Sequence, residues 1–143
     1  MKLKTFEEAY KWQTEQNSYD VNQGLATGIV NIDRVQFALG NVLWLAIGDG
    51  YYLDDYEESV TQYGITQEGK WAAVYGGHCS CYEWEEMGES DITYYDSLDI
   101  LLKADKDAII ILQCWDKLIE VMPFLKHYLR RNSTLFREYK VKP

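Results

Sequence analysis

Two strand-like segments separated by a turn signal constrain the fold of this chain most. SVTQYGIT (59–66) alternates in polarity, KWAAVYGG (70–77) is β-rich, and QEGK (67–70) between them contains Gly69. A short Gly-containing connection between two such runs is typical of a β-hairpin. The preceding residues, 42–53, begin with the apolar run VLWLAIG. The three segments together predict a small antiparallel sheet.

A helical pattern precedes this sheet. Residues 5–16 predict an amphipathic helix, because Thr5 and Glu8 have the spacing of a capping box. One face of that helix carries apolar and long side chains: Phe6, Ala9, Tyr10 and Gln13. Residues 31–39 predict a second short helix, ended by Gly40.

The last third of the sequence is also helical in pattern. Residues 96–104 predict a short helix, and a longer one starts near Asp107, capped by Asp105 or Asp107. Its apolar face comprises Ala108, Ile111, Leu112, Trp115, Leu118, Ile119 and Met122. Pro123 ends it and begins a further helix, PFLKHYLRR. We therefore expect one α+β domain over 1–143. It is a small antiparallel sheet of three to four strands flanked by N-terminal and C-terminal helices, with a fraying tail at 132–143.

Length and composition narrow the class of protein. The 143 residues suit a single domain, and 47% of them are hydrophobic, which excludes a chain disordered by composition. The first 16 residues lack the apolar run of a signal peptide, and no segment approaches the roughly 20 apolar residues of a membrane span. Three cysteines, an odd number, do not suit a disulfide framework. We expect a reduced protein of the cytoplasm, without membrane association and without a cofactor.

The His and Cys residues of the segment GGHCSCY (76–82) allow three interpretations: a zinc site, a cysteine nucleophile or buried structural residues. His78, Cys79 and Cys81 could bind zinc together with Cys114 or His127, but Cys-x-Cys on an extended strand sets the two residues about 7 Å apart, too far for one ion unless the strand turns. A cysteine nucleophile is the second reading; surrounding carboxylates would raise its pKa and deactivate it. The third, which we favour, is that the cysteines are small buried residues.

The same segment carries a resemblance. A strand that ends in Gly-Gly-His-Cys-Ser-Cys-Tyr, followed by an acidic or aromatic stretch and a short helix, resembles a run seen in small uncharacterised proteins of phages and prophages. The similarity covers residues 59–104, and the following EWEEMGESD (83–91) is more acidic than in that group. The resemblance implies a phage origin and transfers no catalytic residue.

The charge distribution is more informative than the cysteines. The chain has 23 acidic and 14 basic residues, a net charge of −9. Residues 49–99 contain 13 acids and one base, Lys70, which gives 1 − 13 = −12. Residues 126–143 contain six bases and one acid, which gives +5. The negative excess is therefore localised, and direct nucleic-acid binding is disfavoured because phosphates require positive charge.

Two acidic clusters interleaved with aromatic residues, 49–59 and 83–91, account for most of this excess. Such a surface attracts basic partners, and Tyr and Trp are frequent in binding hot spots. The alternative is a solvated face that serves solubility only. If the surface binds a partner, the predicted contact residues are Asp54, Asp55, Tyr56, Glu57, Glu58, Trp84, Glu85 and Glu86.

Three functions from different classes follow. The first is a non-enzymatic acidic binding protein, a phage-encoded inhibitor that mimics nucleic acid and occupies a basic, nucleic-acid-binding site of a host or defence protein. The second is a small zinc-binding or cysteine-dependent enzyme that uses His78, Cys79 and Cys81. The third is an assembly subunit without a separate partner, such as a homodimer. We favour the first.

Overall fold

The computed structural model describes residues 2–15, 40–47, 51–54, 57–79 and 89–130. Five α-helices are described: α1 (Phe6–Thr14), α2 (Leu98–Ala104), α3 (Ile110–Gln113), α4 (Trp115–Val121) and α5 (Lys126–Arg130). The described strands are β1 (Val42–Ile47), β2 (Tyr51–Asp54), β3 (Glu57–Thr66), β4 (Trp71–Cys79) and β5 (Thr93–Tyr95). Short 3-10 turns cover Glu89–Asp91, Lys106–Ile109 and Pro123–Leu125.

The strands form one antiparallel sheet in the order β1-β3-β4-β5, and β2 also pairs with β3. β3 and β4 pair without a shift from Glu57↔Cys79 to Ile65↔Trp71, as the Gly69 turn predicts. Gly69 adopts a φ of +93°, which favours glycine. The predicted strand over 42–53 is two strands, β1 and β2, whose register against β3 shifts by a bulge in each. The predicted α+β fold is confirmed.

One half of the sheet is buried on both faces. Residues 42–46, 62–66 and 71–74 are buried at every position, so exposure does not alternate along these strands. α1 and α3 contact β1, while α2 contacts β4 and β5. Gly64 permits the close approach of β1, since a Cβ there would lie 2.5 Å from the carbonyl oxygen of Leu43. This half of the sheet forms the core together with the helices.

The Thr5 half of the predicted capping box forms at the start of α1, while Glu8 reaches back to Lys4, one residue before the N-cap. The Thr5 hydroxyl accepts from the Glu8 N–H at 3.1 Å, and the Glu8 carboxylate accepts from the Lys4 N–H at 2.9 Å. Of the predicted apolar face, Ala9 and Gln13 are fully buried. The helix predicted at 31–39 and the tail at 132–143 lie outside the described residues.

The C-terminal helices carry the predicted apolar face, but the long helix predicted there is interrupted once. Asp105 caps the 3-10 turn by accepting from the Asp107 N–H at 3.0 Å. The single helix predicted from Asp107 is instead divided at Cys114 (φ −94°, ψ 0°) into α3 and α4. Pro123 stands at the start of the next turn, as predicted. Leu3 ties the N-terminal segment to this layer, because its N–H donates to the Val121 carbonyl at 2.8 Å.

Candidate partner-binding surface

The β2–β3 pairing brings acidic residues together at one end of the sheet. Asp54 lies opposite Glu57, and Tyr52 lies opposite Glu58. We name Asp54, Glu57 and Glu58 the acidic sheet end. Asp55 and Tyr56, which follow Asp54 in the sequence, lie outside the described residues. Three of the eight predicted contact residues thus share one end of two paired strands.

β4 adds the His-Cys segment to the same end. His78 lies opposite Glu58, and Cys79 lies opposite Glu57. The acidic sheet end and the residues considered for metal binding or nucleophilic chemistry are therefore register neighbours, a relation that the sequence analysis did not draw. Cys81 and the remaining predicted contact residues, Trp84, Glu85 and Glu86, lie outside the described part of the chain.

The only base within 49–99 lies at the opposite end of the hairpin. Lys70 immediately precedes β4, whereas Cys79 ends it. Eight strand rises separate Trp71 from Cys79, which is about 26 Å at the usual rise per residue. Charges are screened over about 8 Å at physiological salt. Lys70 therefore does not neutralise the acidic sheet end.

The second acidic cluster is described only at its C-terminal limit. Glu89 and Asp91 are exposed in the 3-10 turn that precedes β5. The Ile92 N–H donates to the Glu89 carbonyl at 3.2 Å, and Ile92 itself is buried. β5 then pairs with the start of β4, with Thr93 opposite Ala73. Residues 83–88 lie outside the described residues, so the continuity of the two clusters stays a prediction.

The described residues supply little for metal or thiol chemistry. Within them, no group of three or more His, Cys, Asp or Glu side chains could hold a metal ion. Cys114 is buried at the junction of α3 and α4. Burial raises the pKa of its thiol, and Lys117 lowers that pKa by a smaller amount. A thiol with a raised pKa is a poor nucleophile and a poor metal ligand at neutral pH.

A cleft that sequence reasoning missed lies between the start of α1, the β3–β4 turn and α5. Its volume is about 540 Å³. The lining residues are Lys4, Thr5, Phe6, Gln67, Glu68, Gly69, Phe124, His127 and Tyr128. Phe124 packs edge to face on both Phe6 and Tyr128, with ring centroids 6.5 and 6.2 Å apart. The Tyr128 hydroxyl donates to the Gln67 carbonyl at 3.2 Å, which joins α5 to the turn.

The cleft contains groups of both charges, namely Lys4 and Glu68, together with the imidazole of His127. Burial and the charge of Glu68 raise the pKa of the Tyr128 hydroxyl, so this group stays protonated at neutral pH. The arrangement does not favour an anion over a cation. Phe6, Phe124 and Tyr128 were individually visible in the helical patterns, but no sequence signal placed them around a common cleft.

Comparisons with protein-family models, with curated proteins and with solved structures found no match for this chain. Among the helices of the described residues, none combines the length and the apolar character needed to cross a membrane.

Proposed function

We propose that this chain is a non-enzymatic binding protein whose acidic sheet end occupies a basic site on another protein. The proposal rests on the register in which β2, β3 and β4 pair. This register aligns Asp54 with Glu57 and places Glu58 beside them, in a segment of 51 residues with a net charge of −12.

A cluster of acidic residues on paired strands reduces the stability of the fold that carries it. Carboxylates at opposed positions of paired strands repel and reduce stability. Lys70, the one base of segment 49–99, lies at the far end of the hairpin, and a negative field at the acidic sheet end would speed association with a basic partner. The described part of the core, by contrast, is built almost entirely from apolar residues. The charge is thus concentrated where it costs the packing least.

The arrangement of the acidic residues on the paired strands indicates the class of partner. Asp54 and Glu57 are opposed on paired strands, and closely spaced negative charges of this kind suit a protein with a basic groove for nucleic-acid phosphates. The resemblance of GGHCSCY to phage and prophage proteins suggests a host or defence protein of this kind. On this proposal the chain competes with nucleic acid for the groove.

The test is capture of partners from a host lysate on the immobilised chain, followed by competition. We expect a captured protein that duplex DNA or RNA displaces and that dissociates as salt is raised. A triple variant, Asp54→Asn with Glu57→Gln and Glu58→Gln, should reduce capture at least tenfold.

The matched control carries the same change of three charges in and next to the helices: Glu7→Gln in α1, Glu15→Gln at its C-cap and Glu120→Gln in α4, all at exposed positions. This control should capture as the wild type does. Equal loss in both triple variants would show that net charge alone drives capture. Capture that is insensitive to salt and to nucleic acid would contradict the proposal.

A further inference from the structure

The outer edge of β1 is protected by the helix that covers it and not by its own sequence. In the described sheet, β1 is an edge strand that pairs only with β3. Its sequence, VLWLAI, contains neither a charged residue nor proline. Charges, proline and bulges within a strand protect its edge against pairing with another chain, as does a helix or loop that covers the edge. Of the features within the strand, β1 has one bulge, which follows Trp44.

A glutamine side chain covers this edge at its centre. The Gln13 Nε2 donates to the Trp44 carbonyl at 2.8 Å, and the Gln13 Oε1 accepts from the Trp44 N–H at 2.8 Å. Gln13 is fully buried. These two bonds reproduce the pair that a residue of an adjoining antiparallel strand would make with Trp44. Gln13 therefore takes the place of a neighbouring strand at this position.

The rest of α1 holds the glutamine in place. Ala9, one turn earlier on the same face, is fully buried. The Tyr10 hydroxyl donates to the Gly40 carbonyl at 2.9 Å, two residues before β1 begins. The Thr5 cap fixes the start of the helix. The side-chain amide supplies one donor and one acceptor together, which no apolar side chain of similar length can do.

We propose that α1, through Gln13, covers a self-complementary strand edge, and that loss of this clamp lets β1 pair antiparallel with β1 of a second copy of the chain. Two identical edge strands pair around a two-fold axis, so each supplies the same hydrogen-bonding groups to the other. β1 carries no charge that would repel its own copy. The second copy is the occupant that matches this edge in both hydrogen bonding and polarity.

The first test is Gln13→Met, which keeps side-chain length and helix propensity but removes both hydrogen bonds. We expect the Trp44 amide to exchange with solvent at least tenfold faster than in the wild type. Light scattering after size exclusion should show a mass that rises with concentration toward twice that of the wild-type particle. Lys11→Ala, at an exposed position of the same helix, is the matched control and should behave as the wild type does.

A second variant keeps the test decisive if Gln13→Met does not fold. Gln13→Glu preserves the shape, but its ionised carboxylate can only accept, so at neutral pH it repels the Trp44 carbonyl and leaves a buried charge. When the carboxyl is protonated, it again supplies one donor and one acceptor. Compared with the wild type at the same pH, amide exchange at Trp44 and association should therefore be at least as high as in Gln13→Met at neutral pH and should fall toward the wild-type values as the pH is lowered. Variants that keep the wild-type mass at every concentration, with the Trp44 amide still protected, would overturn the proposal.

Discussion

Strands β3 and β4 each run through two regions of opposite character. Residues 62–66 and 71–74 are buried on both faces of the sheet, whereas 57–60 and 76–79 lead to the acidic sheet end. Hydrophobic burial fixes the first region, which binds the helices. Backbone pairing and charge define the second. One uninterrupted hairpin therefore contributes stability at one end and, on our proposal, a negative field at the other, and substitutions along it should separate these two contributions.

The largest expected effect comes from the buried region. Trp71 begins β4 and is 0% exposed, while Tyr75 on the same strand is 63% exposed. Trp71→Ala should lower the free energy of unfolding by about 3–5 kcal/mol, because it removes a large buried side chain and leaves a cavity. Tyr75→Ala should change it by about 0.5 kcal/mol or less. Urea denaturation measures both, and equal losses would contradict the conclusion that burial at the start of β4 stabilises the fold.

A smaller effect is expected from the polar link between the sheet and the helices. The buried Tyr63 donates its hydroxyl to Asp105 at 2.7 Å. Tyr63→Phe should lower the free energy of unfolding by about 1.5–3 kcal/mol, the usual contribution of a hydrogen bond to a charged group. Tyr75→Phe, at an exposed site, should have no effect.

This link also has a pH dependence. Burial raises the pKa of Tyr63 above its ordinary value, and the hydrogen bond and charge of Asp105 raise it further. An unfolded tyrosine titrates near pH 10. The contribution of the Tyr63–Asp105 link to the free energy of unfolding is therefore complete below about pH 10 and is lost as the pH rises above it. Urea denaturation from pH 7 to 11 should show that the wild type loses more unfolding free energy at alkaline pH than Tyr63→Phe does. Equal losses in the two proteins would argue against a raised pKa of Tyr63.

The smallest effect, and the only gain, is expected at the acidic sheet end. Asp54 lies opposite Glu57, so Asp54→Asn removes a repulsion between paired positions. The free energy of unfolding should rise by about 0.5 kcal/mol at low salt and be unchanged at high salt, where charges are screened. Glu7→Gln, which removes one exposed negative charge from the first turn of α1, where such a charge is favourable, is the control and should show no such gain. A loss of stability in Asp54→Asn would show that this carboxylate has a favourable partner.

Local signals in the sequence predicted the parts of the fold that depend on local chemistry. The capping box at Thr5, the turn at Gly69 and the helix start at Pro123 each involve residues within a few positions of one another. β5 was missed because three residues are too short for a periodic pattern, and pairing with β4 stabilises them instead. The interruption at Cys114 was missed because the apolar face continues across it.

The candidate surface was predictable in composition but not in arrangement. The residues around Asp54 were chosen for charge, and the sequence could not show that His78 would lie opposite Glu58. That relation follows only from the unbroken register of the hairpin. The role of Gln13 was equally hidden, because its partner is the backbone of Trp44, 31 positions away. Long-range contacts with backbone atoms leave no mark on side-chain patterns.

The β3–β4 hairpin and the two strands that precede it, β1 and β2, differ in how they tolerate insertions. β3 and β4 are in continuous register, so a residue inserted into β3 would send every following side chain to the other face of the sheet. β1 and β2 already absorb register shifts, between Trp44 and Ala46 and between Tyr52 and Asp54. An insertion there would add another bulge and leave the core pairing intact. Among related sequences, variation in length should therefore accumulate before β3 and be rare within the hairpin.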